Sequence, residues 1–397
     1  MGPLQGIKVL DLSRILAGPW ATQVLADFGA TVWKIERPEV GDDTRHWGPP
    51  YLKDRDGNET GESAYYLSAN RGKRSLAVDI TTPQGQAVIR SLAGRADILV
   101  ENFKVGGLAR YGLDYDTLSA LYPQLIYCSI TGFGQTGPDA GLAGYDAMIQ
   151  ARGGLMSITG EPGGVPGGGP QKAGVAVADL MAGMYAVSAI LAALHHREKS
   201  GQGQHIDLAL LDTQVAWLAN QGMNYLVGGE PPLRQGTAHP NIVPYQALPS
   251  ADGYLMLAVG NDRQFKACCQ VLGEPGLASD SRFLNNALRV KHREQLIPRL
   301  EVLFSRRNTA EWLQLLGEVK VPCGPINTLD RVFADPQVTA RGMRLDLSHP
   351  LSGSVPQVAN PVRFSATPVE YRGAPPLLGA DTEAVLEWLA GEGGEPD

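Results

Sequence analysis

Cysteine is scarce in this chain, with Cys128, Cys268, Cys269 and Cys323 the four among 397 residues. They have neither the paired spacing of a zinc site nor the density of a stapled secreted scaffold, so a reducing, cytoplasmic compartment is expected. The seven histidines also lack metal-ligand spacing, and no metal is expected. Basic charge is short: 34 Lys and Arg face 41 Asp and Glu, a formal net charge of −7. A nucleic acid, which asks for a basic face, is excluded as a partner. The N-terminal MGPLQGIKVLDLSRI has no basic region followed by an apolar core and a cleavage site, so no targeting peptide is expected. There is no G-x-S-x-G elbow, no P-loop and no H-E-x-x-H. A dinucleotide fingerprint is missing as well, because SRILAGPW after the first strand-like run offers Gly18 alone, which argues against NAD.

Long apolar runs are also few, and the longest, AGVAVADLMAGMYAVSAILAALHH (173–196), carries one acidic residue, Asp179. Its length would span a bilayer. Its alanine content, the Gly174 and Gly183 breaks and the lack of a second such run favour a helix buried inside a soluble protein. An unpaired ionised carboxylate in such a place costs on the order of several kcal/mol. Two explanations stand open: Asp179 caps the helix and meets the positive end of its dipole, or it is held there to react. His195 and His196, at the other end, read as structural cations on the negative pole.

With 43% hydrophobic residues the chain has enough apolar material for one large or two ordinary cores. Its first 130 residues alternate strand-like and helical runs: IKVLDLS, GPWATQVLADFG, TVWKIERP, SLAVDI, TPQGQAVIRSLAGR, DILVENF, DYDTLSALY and LIYCSI. This is βαβ alternation, and it predicts a Rossmann-like α/β domain with a mostly parallel sheet whose ligands sit beyond the carboxyl ends of the strands. Residues 131–172 turn glycine-rich. TGFGQTGPDAGLAGYD reads as a shaped ligand loop, and GGVPGGGP as a linker or lid. A change of character at GGEPPLRQGTAHPNIVPYQ places a boundary near 225. The expected organisation is 1–224 as the first part of the large domain, 225–330 as a smaller α/β domain, and 331–397 returning to the large domain with a strand at PVRFSATP and a final helix.

Cations mark candidate anion sites. Arg37, after the second strand and beside Glu36, stands where such folds meet a ribose phosphate. Arg71, Lys73 and Arg74 cluster around Gly72 ahead of a strand and suit a diphosphate. His239 lies between turn residues and faces either a ligand or a structural hydrogen bond.

These pieces, in order, are similar to the class III CoA-transferase family, the formyl-CoA transferase and carnitine CoA-transferase group. The matching stretches include GIKVLDLSRILAGPWATQVLADFGATVWKIERP, NRGKRSLAVDI, ADILVENF, YCSITGFGQTGP, AGYDAMIQARGGLMSITG, VAVADLMAGMYA, GQGQHIDLALLD and VPCGPINTL. The resemblance implies that Asp179 is the nucleophile. It would attack an acyl-CoA thioester to give a mixed anhydride, then an aspartyl-CoA thioester. The resemblance further implies CoA contacts at Ile15, Leu16, Ala17, Arg37, Lys73, Asn102, Phe103 and Phe133, with Arg71 and Arg74 in the same basic loop. It implies no permanently bound cofactor, CoA and acyl-CoA entering as substrates, and an interlaced homodimer without membrane or nucleic-acid partners. Leu16 stands where formyl-CoA transferase has a glutamine, and that enzyme's four-glycine loop has no clear counterpart, which argues against a formyl or oxalyl substrate.

Two other functions compete. A 2-methylacyl-CoA racemase needs a histidine acid/base in a G-H-D motif, and here AGYDAM puts Tyr145 in that place. A CoA-binding protein without catalysis would have no use for Asp179. Within the family, GDDTRHWGPP, YCSITGFGQTGP and GTAH followed by IVPYQA resemble succinyl-CoA:glutarate CoA-transferases. That implies succinyl-CoA as donor and a short dicarboxylate, glutarate foremost, as acceptor. The second carboxylate of such an acceptor needs a cation, for which Arg14, Arg45, His46, Arg234 and His239 are the candidates.

Overall fold

The computed structural model describes residues 1–391. The chain divides into two compact units, one formed by Met1–Leu155, Ala173–Gly228 and the chain from Pro336 on, the other by Met156–Lys172 and Gly229–Asp335. A helix, Ala219–Gly228, runs through the boundary expected near 225. Met156–Lys172, inside the stretch assigned by sequence to the large domain, groups with the second unit.

The first unit contains β1 (Lys8–Asp11), α1 (Ala17–Asp27), β2 (Thr31–Glu36), β3 (Lys73–Ala77), α2 (Pro83–Ala93), β4 (Ile98–Glu101), α3 (Tyr115–Leu121), β5 (Ile126–Thr131), α4 (Asp146–Arg152), α5 (Val177–Ser200), β6 (His205–Ala209) and α6 (Leu210–Ala216). Six strands form one sheet in the order β3-β2-β1-β4-β5-β6, every neighbouring pair parallel. All residues of β4 and β5 are buried, which is why these strands read as unbroken apolar runs. Successive residues alternate between two cores. Val9, Val32, Ile98 and Val100 face α1 and α5, whereas Leu10, Trp33, Leu76 and Leu99 face α2 and the C-terminal helix.

α2 begins as its sequence directs: Thr82 Oγ1 accepts from Gly85 N at 3.1 Å and Pro83 occupies the first helical position. α5 is apolar and long enough to cross a membrane by composition alone, yet Ala178, Ala182, Ala186 and Ile190 are buried in the core it shares with α1. Its small residues let the two helices approach closely. A Cβ on Gly183 would stand 2.7 Å from the Ala17 carbonyl oxygen.

The C-terminal stretch differs from expectation. PVRFSATP forms no strand, its prolines offering no N–H to a ladder. Instead Arg344–His349 and Gly353–Val358 make a hairpin. The helix Thr382–Ala390 closes the sheet edge at β3, where Ser75 N donates to Asp381 Oδ2 and Ala77 N to Thr382 Oγ1, both at 2.9 Å. Trp388 packs on Trp33 with ring centroids 5.5 Å apart. An edge that would otherwise present bare donors is thereby covered.

The second unit holds a three-stranded sheet of β7 (Tyr245–Ser250), β8 (Gly253–Ala258) and β9 (Cys323–Pro325), antiparallel and ordered β9-β8-β7. Its helices enclose Phe265, Leu300, Phe304 and Trp312. Two of its helices, Asn286–Lys291 and Arg293–Phe304, meet at His292.

One buried ion pair joins the N-terminal helix to the far end of the sequence. Arg71 Nη2 donates to Asp27 Oδ2 at 2.6 Å and Nε to Oδ1 at 2.8 Å, while Arg71 Nη1 reaches the Val358 carbonyl at 2.8 Å. Asn360 Nδ2 also donates to Asp27, at 2.9 Å. Removing one partner leaves a buried charge uncompensated, so Asp27→Ala should lower stability by ~3–5 kcal/mol. Urea unfolding checks this, and a loss under about 1 kcal/mol would reduce the pair to an ordinary surface contact.

Candidate active site

In the strand order of the first unit, the chain leaves β1 toward β2 on one side and β4 toward β5 on the other, so a crevice opens beyond the carboxyl ends of β1 and β4, where open α/β sheets bind ligands. A cavity of about 720 Å³ occupies it, lined by Arg14–Ala17 after β1, Asn102–Gly107 and Arg110 after β4, Ile130–Gly132, Leu142–Asp146, Asp179 and Leu210, among others.

Buried charges shape the first of these loops. Asp11, fully buried, accepts from Ser13 N at 2.9 Å, Thr22 Oγ1 at 2.6 Å and Lys73 Nζ at 3.1 Å. Burial alone would raise its carboxyl, but the Lys73 and Lys34 ammoniums and the Ser13 and Thr22 donors outweigh burial and hold it below the ordinary range. Lys34 Nζ bonds Asp42 Oδ2 at 2.8 Å and the Ser13 carbonyl at 3.1 Å. Asp42 in turn accepts from Ile15 N at 3.3 Å, and Ile15 sits at φ 73°. That conformation costs a β-branched residue about 1–3 kcal/mol and persists because its surroundings over-determine it. Asn102 ties the two loops together, accepting from Arg14 N at 2.9 Å and donating to the Arg14 carbonyl at 2.7 Å.

Asp179 lies in the first turn of α5, 9% exposed. The capping role expected as one possibility is not its own. α5 starts after Ala176 without a side-chain cap on that residue, and the first-turn amide Ala178 N donates to Asp146 Oδ1 at 2.8 Å. The Asp179 side chain makes no hydrogen bond among the described residues. Burial first, and then the like charge of Asp146, push its carboxyl up to about 7. The Tyr65 phenol is raised to about 12, by burial and then by the charge of Asp179. Opposite, Gly132 and Gly144 meet back to back, and a Cβ on Gly144 would stand 2.4 Å from Gly132 Cα. Only glycine permits that approach of the two loops, and both line the cavity.

A second cavity of about 260 Å³, lined by Arg37, Glu36 and Val78–Thr81, shares Arg14, Phe103 and Arg110 with the first. The two lie side by side, Arg37 lining the smaller and Asp179 the larger, and together they are called the groove below.

Of the residues expected from sequence, Arg14, Ile15, Leu16, Ala17, Asn102, Phe103 and Asp179 come together in the larger cavity and Arg37 in the smaller. Other cations sit inside the fold. Arg71 is matched by Asp27 and Lys73 by Asp11. Arg45 bonds Glu36 and Glu62 and lies over the Tyr66 ring at 3.7 Å. These three buried charges are each balanced by carboxylates. Arg74 is a half-buried residue of β3, Phe133 lies under the Arg152 guanidinium at 4.8 Å, and neither lines the groove. The exposed His46 meets the Val40 carbonyl at 3.0 Å. Arg234 and His239 belong to the second unit. Arg234 Nε donates to the Glu161 carbonyl at 3.1 Å, and His239 stacks on Tyr245 at 5.2 Å. Burial, and secondarily Arg293, lower the His239 imidazole.

Sequence reasoning missed Arg110, which lines both cavities, Lys104 beside it, and Asp146. Their signal was position alone: Lys104 and Arg110 follow the strand at the switch point, and Asp146 opens the helical pattern DAMIQAR.

The sequence model of a family described as CoA-transferase family III matches residues 4–382. The chain is 53% identical over 387 residues to a succinate–glutarate CoA-transferase of Agrobacterium fabrum, covering 98% of this chain and 96% of the relative. It is 46% identical to the human succinyl-CoA:glutarate CoA-transferase, covering 97% of this chain and 85% of the relative. A solved CAIB/BAIF family protein from Brucella suis superposes with TM-score 0.86 at 50% identity, over 98% of this chain and 99% of that one.

Holding a carboxylate in this place has a stability consequence. The folded state binds the Asp179 proton more tightly than the unfolded chain, whose carboxyl titrates near 3.8. Stability is therefore lost as pH rises from the unfolded value through about 7. Asp179→Asn should be more stable than the parent at pH ~8, by up to ~4 kcal/mol, with the advantage fading by pH ~4. Urea titrations at the two pH values test this, and equal stability at the higher one would refute the strained carboxylate.

Proposed function

The chain belongs to CoA-transferase family III, and from that premise we propose that it moves coenzyme A from succinyl-CoA to glutarate through covalent chemistry at Asp179. The observation that carries the mechanism is a buried carboxylate, without a hydrogen bond among the described residues, facing a cavity at the switch point of the sheet. The substrates follow the names of the relatives at 53% and 46% identity.

The Asp179 carboxylate attacks the succinyl thioester carbonyl. The C–S bond breaks, leaving an aspartyl–succinyl anhydride and CoA thiolate. The thiolate attacks the aspartyl carbonyl, releasing succinate and forming an aspartyl-CoA thioester. Glutarate then attacks that thioester, giving an aspartyl–glutaryl anhydride and thiolate, and the thiolate takes the glutaryl group and frees Asp179. Each exchange swaps one carboxylate for another and is nearly thermoneutral. The high proton affinity of Asp179 marks a carboxylate poorly stabilised as an anion and correspondingly reactive. Gly132 and Gly144 line the cavity, and backbone N–H groups of their loops would be the donors for the tetrahedral oxyanions.

The groove supports an extended CoA, its phosphoadenosine end toward Arg37, Arg110 between the two cavities, and its thioester toward Asp179. Ile15, Leu16, Ala17, Asn102 and Phe103 form walls along it. Of the five cations considered for the acceptor's second carboxylate, Arg14 lines the Asp179 cavity, and we assign it that role. Its Asp43 partner, at 2.8 Å, is also at the rim, so the pair is open to exchange for a ligand. A racemase reading finds no support, since the cavity presents Tyr145 and no histidine among its described lining residues. A cytoplasmic homodimer completes the proposal. Tyr185, Met223, Tyr225, Leu226 and Val227 are 43–80% exposed, an apolar surface of the kind that a second chain covers.

Asp179→Ala should abolish transfer while CoA affinity stays within a few-fold, and wild-type protein given succinyl-CoA alone should carry CoA mass on the peptide containing Asp179. Mass spectrometry after proteolysis reads this, and label on a cysteine peptide would sink the assignment. In an acceptor panel with succinyl-CoA, glutarate should exceed monocarboxylates in kcat/KM, and Arg14→Gln should cost ~10–100-fold for glutarate while barely changing a monocarboxylate. Equal losses for both would remove Arg14 from the acceptor site.

A further inference from the structure

Asp146 and Asp179 line one cavity, and the contacts of Asp146 are directed at the helix that carries Asp179. Its Oδ1 accepts from Ala178 N at 2.8 Å, the residue immediately before Asp179. Its Oδ2 accepts from Gln150 Nε2 at 2.7 Å, one turn along α4. Gln150, fully buried, uses its Oε1 to accept from Ala173 N at 2.9 Å. The pair thus grips the chain on both sides of the helix start, at Ala173 and at Ala178. A neutral acceptor would satisfy Ala178 N equally well, so a second carboxyl group lining the same cavity as Asp179 calls for a reason.

We propose that Asp146 is the positioning residue for Asp179, clamping the first turn of α5 together with Gln150 and placing a negative charge in the cavity that the reacting carboxylate also lines. The clamp fixes where the Asp179 carboxylate stands. The charge keeps that carboxylate from being stabilised as a resting anion, so it stays basic and nucleophilic. The hydrogen bonds from Ala178 and Gln150 occupy both oxygens of Asp146, whereas Asp179 makes none among the described residues, so the two carboxylates have different roles: one holds the helix start and the other is left free to react. Burial is the larger influence on Asp179 and Asp146 the second. The other titratable groups on the cavity wall are Arg14, Asp43, Lys104, Arg110 and Tyr145, and the phenol of Tyr65 lies near enough to be raised by Asp179.

The role in transfer rests on Asp179 being the nucleophile, so the experiment reads the carboxyl directly. In full-length protein labelled with carboxyl-13C aspartate, the Asp179 resonance is assigned by its loss in Asp179→Asn and titrated in the parent, in Asp146→Asn and in Asp146→Ser. Both substitutions leave an acceptor for Ala178 N and remove the charge, so one serves if the other fails to fold. The midpoint should fall by roughly half a pH unit or more, and the acid limb of kcat/KM for succinyl-CoA should move with it. A role confined to capping would weaken folding and leave the midpoint in place, and an unmoved midpoint overturns the proposal. If the midpoint moves while the acid limb stays, the charge of Asp146 is upheld and the assignment of Asp179 as nucleophile is what fails.

Discussion

The site depends on a set of opposite charges sealed around β1, β2 and the start of β3. Asp11, Lys34, Glu36, Asp42, Arg45 and Lys73 are all buried, and each finds its counter-charge within 3.1 Å. Such groups add little net stability over apolar side chains of the same volume, yet losing any one partner is costly. What they supply here is geometry. Through Asp42 and Ser13 they fix a loop that an apolar floor would leave free, and they hold Ile15 in a left-handed conformation at the wall of the crevice. Cations that a reading of the sequence directs at a ligand are, in three cases, the structural half of this arrangement or of the Asp27–Arg71 pair.

Asp179 stands in contrast to these groups. Each buried carboxylate of the floor has a cation, whereas Asp179 has a first-turn position, an apolar helix behind it and a second carboxylate nearby. The close packing of α5 on α1 at Gly183 and Ala17 brings the start of α5 to the switch-point crevice, so the alanine-rich composition that resembles a membrane span is what lets Asp179 reach the cavity. In the proposed mechanism, reactivity and stability pull against each other at this one residue, and the many satisfied pairs around it offset the strain.

Much of the fold was legible in the residues. Burial on both faces makes parallel strands read as unbroken apolar runs, so β1, β2, β4 and β5 fell where the pattern put them, and α2 announced itself through Thr82 and Pro83. Asp179 was legible for a similar reason, because a lone charge in an apolar helix calls for explanation. The part of the chain after residue 335 was not legible. PVRFSATP has apolar alternation, but strands need partners and its prolines weaken any ladder, while the closure of β3 by Asp381 and Thr382 depends on pairings some 300 residues apart in sequence.

Local chemistry therefore determined that an α/β sheet would form, that one carboxylate would be out of place, and which ordered motifs resemble a CoA-transferase. Tertiary structure decided which cations face the groove. Arg71, Lys73 and Arg45 look in sequence like Arg14, Arg37 and Arg110, and the difference arises only when folding brings Asp27, Asp11 and Glu36 against the first three. A charge's role is set by the counter-charge within about 4 Å and by the water it loses, and neither is a property of neighbouring residues along the chain. The same holds for Asp146. Thirty-two residues before Ala178, it becomes the cap of another helix because the glycine loop folds back, through Gly132 against Gly144, to bring it there.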